Sequence, residues 1–165
     1  MNIAKRYLLA IDPDVEASGF AVLDCEERRF VRAESRTFPE VVDWMSFMQP
    51  DYSADVLVVM EDSELGGNWH LNPRDSKTVA AAKGRSVGLC HATARHLKEM
   101  AESMGYEVMG VRPLRKVWRG KDGKITHEEA AQFMTGMPSR TNQDVRDAML
   151  LAWAHAGLPI RLRPR

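Results

Sequence analysis

The sequence predicts an α/β domain: a mixed β-sheet, three antiparallel strands and then parallel ones, flanked by helices. Three observations predict it. Three short strand-like segments follow one another near the start, which suits an antiparallel meander. The run Val56-Leu57-Val58-Val59-Met60 is apolar throughout, as a central strand covered on both faces must be. From there on, segments with helical apolar spacing alternate with strand-like ones.

Residues 7–11 form the first strand and end at Asp12-Pro13. Residues 19–24 and 30–37 read as the next two, joined by a charged turn at 25–29. Pro39 suits the first turn of a helix over 39–48, with Val41, Val42, Met45 and Met48 on its apolar side. The apolar strand 56–60 runs into Glu61-Asp62, and 63–75, rich in Gly, Asn and Pro, is a loop. Residues 76–104 form a long helix that stops at Gly105. Residues 106–111 are a further strand. Thr126 with Glu129 is a capping box for a helix reaching about 135. The last helix begins at 141 or 142, runs to His155 and stops at Gly157. The domain is expected over 1–157, with 158–165 a basic tail that carries two prolines.

With 165 residues and 44% hydrophobic content, the chain can build one core but not two ordinary domains. Residues 7–11 are too short for the apolar segment of an export signal, and no stretch approaches the roughly 20 apolar residues of a membrane span. Cys25 and Cys90 are therefore expected to be free thiols in a cytoplasmic protein. The 23 basic and 23 acidic residues balance, which argues mildly against nucleic acid. Their distribution argues the other way. Arg112, Arg115, Lys116, Arg119, Lys121 and Lys124 crowd one loop against a single acid, Asp122, and Trp118 lies among them. Such a loop suits phosphate contact.

Four acids carry the chemistry. Asp12 and Glu61 end two strands, where side chains reach the sheet edge from rigid backbone. Asp144 and Asp147 are three apart, so a helix sets them on one face. Convergent carboxylates repel unless a cation neutralises them. All-oxygen ligands favour Mg²⁺ or Mn²⁺ over zinc, and two such ions can drive phosphodiester cleavage. Taken singly, Asp12 equally suits a turn before Pro13, and Asp144 the first turn of a helix. His91 and His96, five apart, are poorly spaced for a shared metal.

Leu8-Leu9-Ala10-Ile11-Asp12-Pro13 with Ser18-Gly19-Phe20-Ala21-Val22 resembles the opening motif of RuvC-type Holliday junction resolvases. Val58-Val59-Met60-Glu61 resembles their second motif, and Gly84-Arg85-Ser86-Val87-Gly88 a Gly-Arg-x-x-Gly on their long helix. Asp144-Val145-Arg146-Asp147-Ala148 resembles their closing D-x-x-D-A helix. The resemblance keeps its order from about residue 7 to 155. It implies a divergent member with an RNase H-like fold, a homodimer, and two Mg²⁺ per active site (Mn²⁺ substituting) held by Asp12, Glu61, Asp144 and Asp147. The partner it implies is branched DNA, a four-way junction above all. Arg85, Arg115, Lys116, Arg119 and Lys124 are then expected DNA contacts, and Arg115, Lys116 and Lys124 fall where the family keeps basic DNA-contacting and catalytic residues. Trp69, in the loop after Glu61, suits stacking on an unpaired base or on its own loop. The family's proteins are usually basic and carry an aromatic soon after the Glu. This chain is neutral, and acids Asp62 and Glu64 stand there instead, either of which could join the metal shell. Gly84 and Gly88 suit either a dimer seam or a close fit of helix on sheet. A catalytically silent DNA-binding module and a nuclease of RNA–DNA hybrids are the competing readings.

Overall fold

Strand β1 (Tyr7–Asp12) lies at the middle of a five-stranded sheet with order β3-β2-β1-β4-β5. The structure, a computed structural model, describes residues 5–62, 65, 72 and 74–161, with backbone alone for 49–53. β2 (Ser18–Asp24) pairs antiparallel with β1, and β3 (Arg29–Arg36) antiparallel with β2, which completes the expected meander. β4 (Val56–Glu61) and β5 (Glu107–Val111) continue the other side in parallel. The strands buried on both faces are the central ones, as their apolar runs require.

The helices divide between the two faces. α1 (Phe38–Tyr52) and α2 (Lys77–Ser103) cover Leu9, Ile11, Phe20, Val58 and Met60 through Val41, Met45, Leu97 and Ala101. α4 (Gln143–His155) covers Leu8, Ala10, Ala21, Leu57 and Val59 on the opposite face. α2 starts on the Ser76 cap and ends before Gly105 at φ +84°, the left-handed turn expected there. α1 runs on through Pro50 to Tyr52, four residues past the expected end. Apolar spacing marks where a helix touches the core, not where its backbone hydrogen bonds stop.

α3 (His127–Ala130) differs more. Its capping box is present, yet the helix lasts one turn and does not reach 135. The chain instead turns so that Thr135 accepts a hydrogen bond from the Phe30 amide at 2.9 Å. Gly136, at φ +81°, then passes so near the Phe30 carbonyl that a Cβ would stand 2.3 Å from it. Phe133 stacks on Trp118 and meets Trp153 edge-on, with ring centroids 6.0 and 6.1 Å apart, so this turn closes the core under the basic loop. The start of the tail is docked: Leu158 donates to the Trp153 carbonyl and the Trp153 indole to that of Pro159, both at 3.2 Å. Both cysteines are free, and among the described residues no helix is long and apolar enough to cross a membrane.

Candidate active site

Alternation along the strands decides which side chains meet. Leu8 and Ala10 face α4, so Asp12 faces the same way; Leu57 and Val59 do likewise, so Glu61 joins it. Ile11 pairs with Met60 in parallel register, which sets Asp12 and Glu61 side by side at the carboxyl ends of adjacent strands.

The other two acids arrive through a glycine. Gly19 is the β2 partner of Asp12, and a Cβ on it would stand 2.0 Å from the backbone oxygen of Asp144. Only a residue without a side chain lets α4 begin this close to the sheet. Asn142 caps that start, accepting from the Val145 amide at 2.9 Å. Asp144 and Asp147 follow one turn apart.

Asp12, Glu61 and Asp147 line one cleft of about 110 Å³, together with Arg115, Lys116, Trp118 and Lys124 of the basic loop. Asp144 stands a turn ahead of Asp147, within electrostatic reach of Asp12. Among the described residues, Asp12, Glu61 and Asp144 have side chains with no hydrogen bond and no ion pair. Asp147 has both: Gln143 donates to Oδ1 at 2.7 Å, and Lys124 Nζ stands 3.2 Å from Oδ2.

Charge crowding shows in the protonation equilibria. Burial first, then the fields of Glu61, Asp147 and Asp144, push the Asp12 carboxyl from 3.8 up to about 8. Burial and Asp147 raise Glu61, against the pull of Lys116 and Lys124. Burial also raises Asp144, with Asp14 and Asp147 adding to it and Lys124 opposing. Burial alone would lower Lys124; its attraction to Asp147, Asp12 and Asp144 wins and raises it.

These residues suit a hard divalent cation: oxygen donors only, three of them without a hydrogen bond or ion pair of their own, on backbone fixed by sheet and helix. Among the described residues no three acids close around a single point as a ligand set. Asp147 is turned toward Lys124 and Gln143 instead.

Of the expected DNA contacts, Arg115, Lys116 and Lys124 border the cleft. Arg119 does not. Its amide donates to both oxygens of the buried Glu129, at 3.1 and 3.2 Å, and its guanidinium lies 4.0 Å from the same carboxylate. Arg85 is exposed on the first half of α2 and does not line the cleft. Trp69 and Glu64 lie outside the described residues. Asp62 is on the opposite face of the sheet from Glu61, where a Cβ on Gly110 would stand 3.3 Å from its Oδ2. It borders a second pocket with His91, Arg95 and Lys98, which Glu61 also lines.

Sequence reasoning passed over Gln143 and Arg146. Arg146 donates to the carbonyls of Ile125 and Thr141, at 3.0 and 2.6 Å, and to Gln143 Oε1 at 2.8 Å, tying the basic loop to the start of α4. The i,i+4 spacing of Gln143 and Asp147 was the signal that could have found the pair.

No protein-family model and no curated protein sequence matches the chain. Solved structures do. RuvC of T. thermophilus in complex with a Holliday junction substrate is 17% identical, with a TM-score of 0.53 over 91% of this chain and 92% of that one. A second Thermus thermophilus RuvC structure is 15% identical, with a TM-score of 0.49 over 92% of this chain and 96% of that one. The Fowlpox virus resolvase with its Holliday junction DNA is 8% identical, with a TM-score of 0.46 over 92% and 97%. The first likeness identifies the fold as the RNase H-like fold of RuvC, as the sequence motifs imply.

Proposed function

We propose that this chain is a Mg²⁺-dependent, structure-selective endodeoxyribonuclease that cleaves four-way junctions or other branched DNA as a homodimer. One observation carries the reading: Asp12, Glu61 and Asp147 line one cleft beside a basic loop, with Asp144 one helical turn from Asp147. The fold likeness supports it, since the T. thermophilus RuvC structure holds a Holliday junction substrate.

Asp12 and Glu61 offer ligands on strand backbone, and Asp144 and Asp147 offer them from the first turns of α4. The chemistry supplied by two Mg²⁺ ions bound there, with Mn²⁺ substituting, is activation of a water and neutralisation of the charge on the leaving oxygen. Arg115, Lys116 and Lys124 hold the backbone phosphates along the cleft rim. Neutral overall charge does not oppose this, because these cations and the carboxylates occupy one local field.

The test uses labelled four-way junction, linear duplex and RNA–DNA hybrid with Mg²⁺ or EDTA, beside Asp12→Asn and Asp147→Asn. Paired nicks near the junction centre, dependent on Mg²⁺ and absent from both variants, are expected. Cleavage of the hybrid alone would move the activity to RNA–DNA hybrids. Tight junction binding with no cleavage in Mg²⁺ or Mn²⁺ would make the chain a silent binding module.

A further inference from the structure

We propose that Lys124 is a resident counter-ion: its ammonium neutralises the acid cluster while no divalent cation is bound, and a cation enters by displacing it from Asp147. The inference rests on the reading of the four acids as a cation site and names the group that competes for it.

Among the described residues, the Lys124–Asp147 contact at 3.2 Å is the one ion pair within 4 Å that any of the four acids makes. Lys124 lines the same cleft as Asp12, Glu61 and Asp147, so its single charge faces several carboxylates. The other oxygen of Asp147 is held by Gln143, itself held by Arg146. Asp147 is thereby aimed, and Lys124 is the partner that can leave.

The backbone around Lys124 is built for that. Its amide donates to the Lys121 carbonyl at 3.1 Å, and its carbonyl accepts from the Gly120 amide at 2.9 Å. A Cβ on Gly120 would stand 2.3 Å from that carbonyl, so the turn closes only over glycine. The Lys124 side chain remains 34% exposed, against 21% for Asp147. The main chain therefore stays fixed while the ammonium swings outward, toward the rim where Arg115 and Lys116 stand. An ammonium released there meets incoming phosphate, so cation and DNA each favour the state that the other needs.

The experiment measures Mn²⁺ binding by titration calorimetry, without DNA, on the wild type, Lys124→Met, Lys124→Arg and Asp147→Asn. Removing the competitor should tighten Mn²⁺ binding about fivefold to tenfold in Lys124→Met, the lower end of ordinary coupling between sites. Lys124→Arg, which keeps the charge, should stay near the wild type. In EDTA, Lys124→Met should melt below the wild type, and saturating Mn²⁺ should erase the difference. Wild-type or weaker affinity in Lys124→Met would overturn the proposal while leaving the cation site standing. If the wild type binds no Mn²⁺ at all, the cation-site reading itself fails and this one falls with it.

Discussion

Burial and three neighbouring acids push the Asp12 carboxyl up to about 8 from an ordinary 3.8, which favours its protonated form in the metal-free fold. The folded chain thus binds that proton more tightly than the unfolded one. Its contribution to stability is greatest at low pH and is lost as pH rises toward the folded value. In EDTA the wild type should melt at falling temperature between about pH 5 and 8, whereas Asp12→Asn should lose most of that slope. At about pH 8 the variant should melt higher by about 3 °C or more, although it cleaves nothing, and scanning calorimetry across the range reads both. Equal slopes would place the titration on other groups. Gly19 makes the opposite case, since it bears no chemistry and still decides where the chemistry sits. Gly19→Ala puts a methyl 2.0 Å from the Asp144 carbonyl, so α4 must move. A cost of about 1–3 kcal/mol follows. A ligand shift approaching 1 Å lowers cleavage about 100-fold. Activity falling far more than thermal stability is the expected pattern; unchanged activity would mean that α4 absorbs the methyl elsewhere.

At the scale of elements, the basic loop owes its shape to Glu129. This carboxylate is 3% exposed and accepts from the Thr126 amide at 3.0 Å and the Arg119 amide at 3.1 and 3.2 Å, joining the α3 cap to the strand of loop that bears Arg115 and Lys116. Glu129→Ala removes the cap partner and orphans the Arg119 amide, a loss of about 2–3 kcal/mol. DNA binding should weaken through the loosened loop, and Mn²⁺ affinity should change little, because the acids lie on other elements. Parallel titrations with junction DNA and with Mn²⁺ separate the two; equal loss of both would mean that the loop also shapes the acid site. The Thr126/Glu129 spacing was legible as a capping box, but its second duty was not, since nothing local pairs Arg119 with Glu129. The same division holds elsewhere. The antiparallel meander, the α2 ends and the placing of the four acids at strand ends and on one helix could be read because each rests on apolar period, caps or turn residues. The early end of α3 could not, because it is set by a tertiary hydrogen bond from Phe30 to Thr135. Nor could the face taken by Asp62, which depends on where Glu61 stops facing α4.

The whole molecule leaves one element half finished. α2 has 27 residues, a length of about 40 Å, yet its buried positions are Leu97 and Ala101, near its end. Its first half stands exposed, with Val79 at 43% and Leu89 at 45%. Among the described residues nothing lies within 4 Å of a Cβ on Gly84 or Gly88, so they are not there to fit the helix against the sheet. Helix without tertiary packing is marginal in water, and glycine weakens it by about 1 kcal/mol per position relative to alanine. Two glycines four apart in such a segment make sense where another helix backbone approaches, and the proposed homodimer would supply one. A Gly84→Glu, Gly88→Glu double variant therefore separates folding from assembly. The isolated chain has room for both side chains and should melt no lower, whereas a seam crossing at the glycines cannot close over two added carboxylates. Sedimentation should give the mass of two chains for the wild type and of one for the variant. Junction nicks by the variant should then fall on single strands rather than in symmetric pairs. A variant that still sediments as two chains would place the seam away from these glycines, and a wild type that sediments as one would remove the symmetric pairing from the proposed activity.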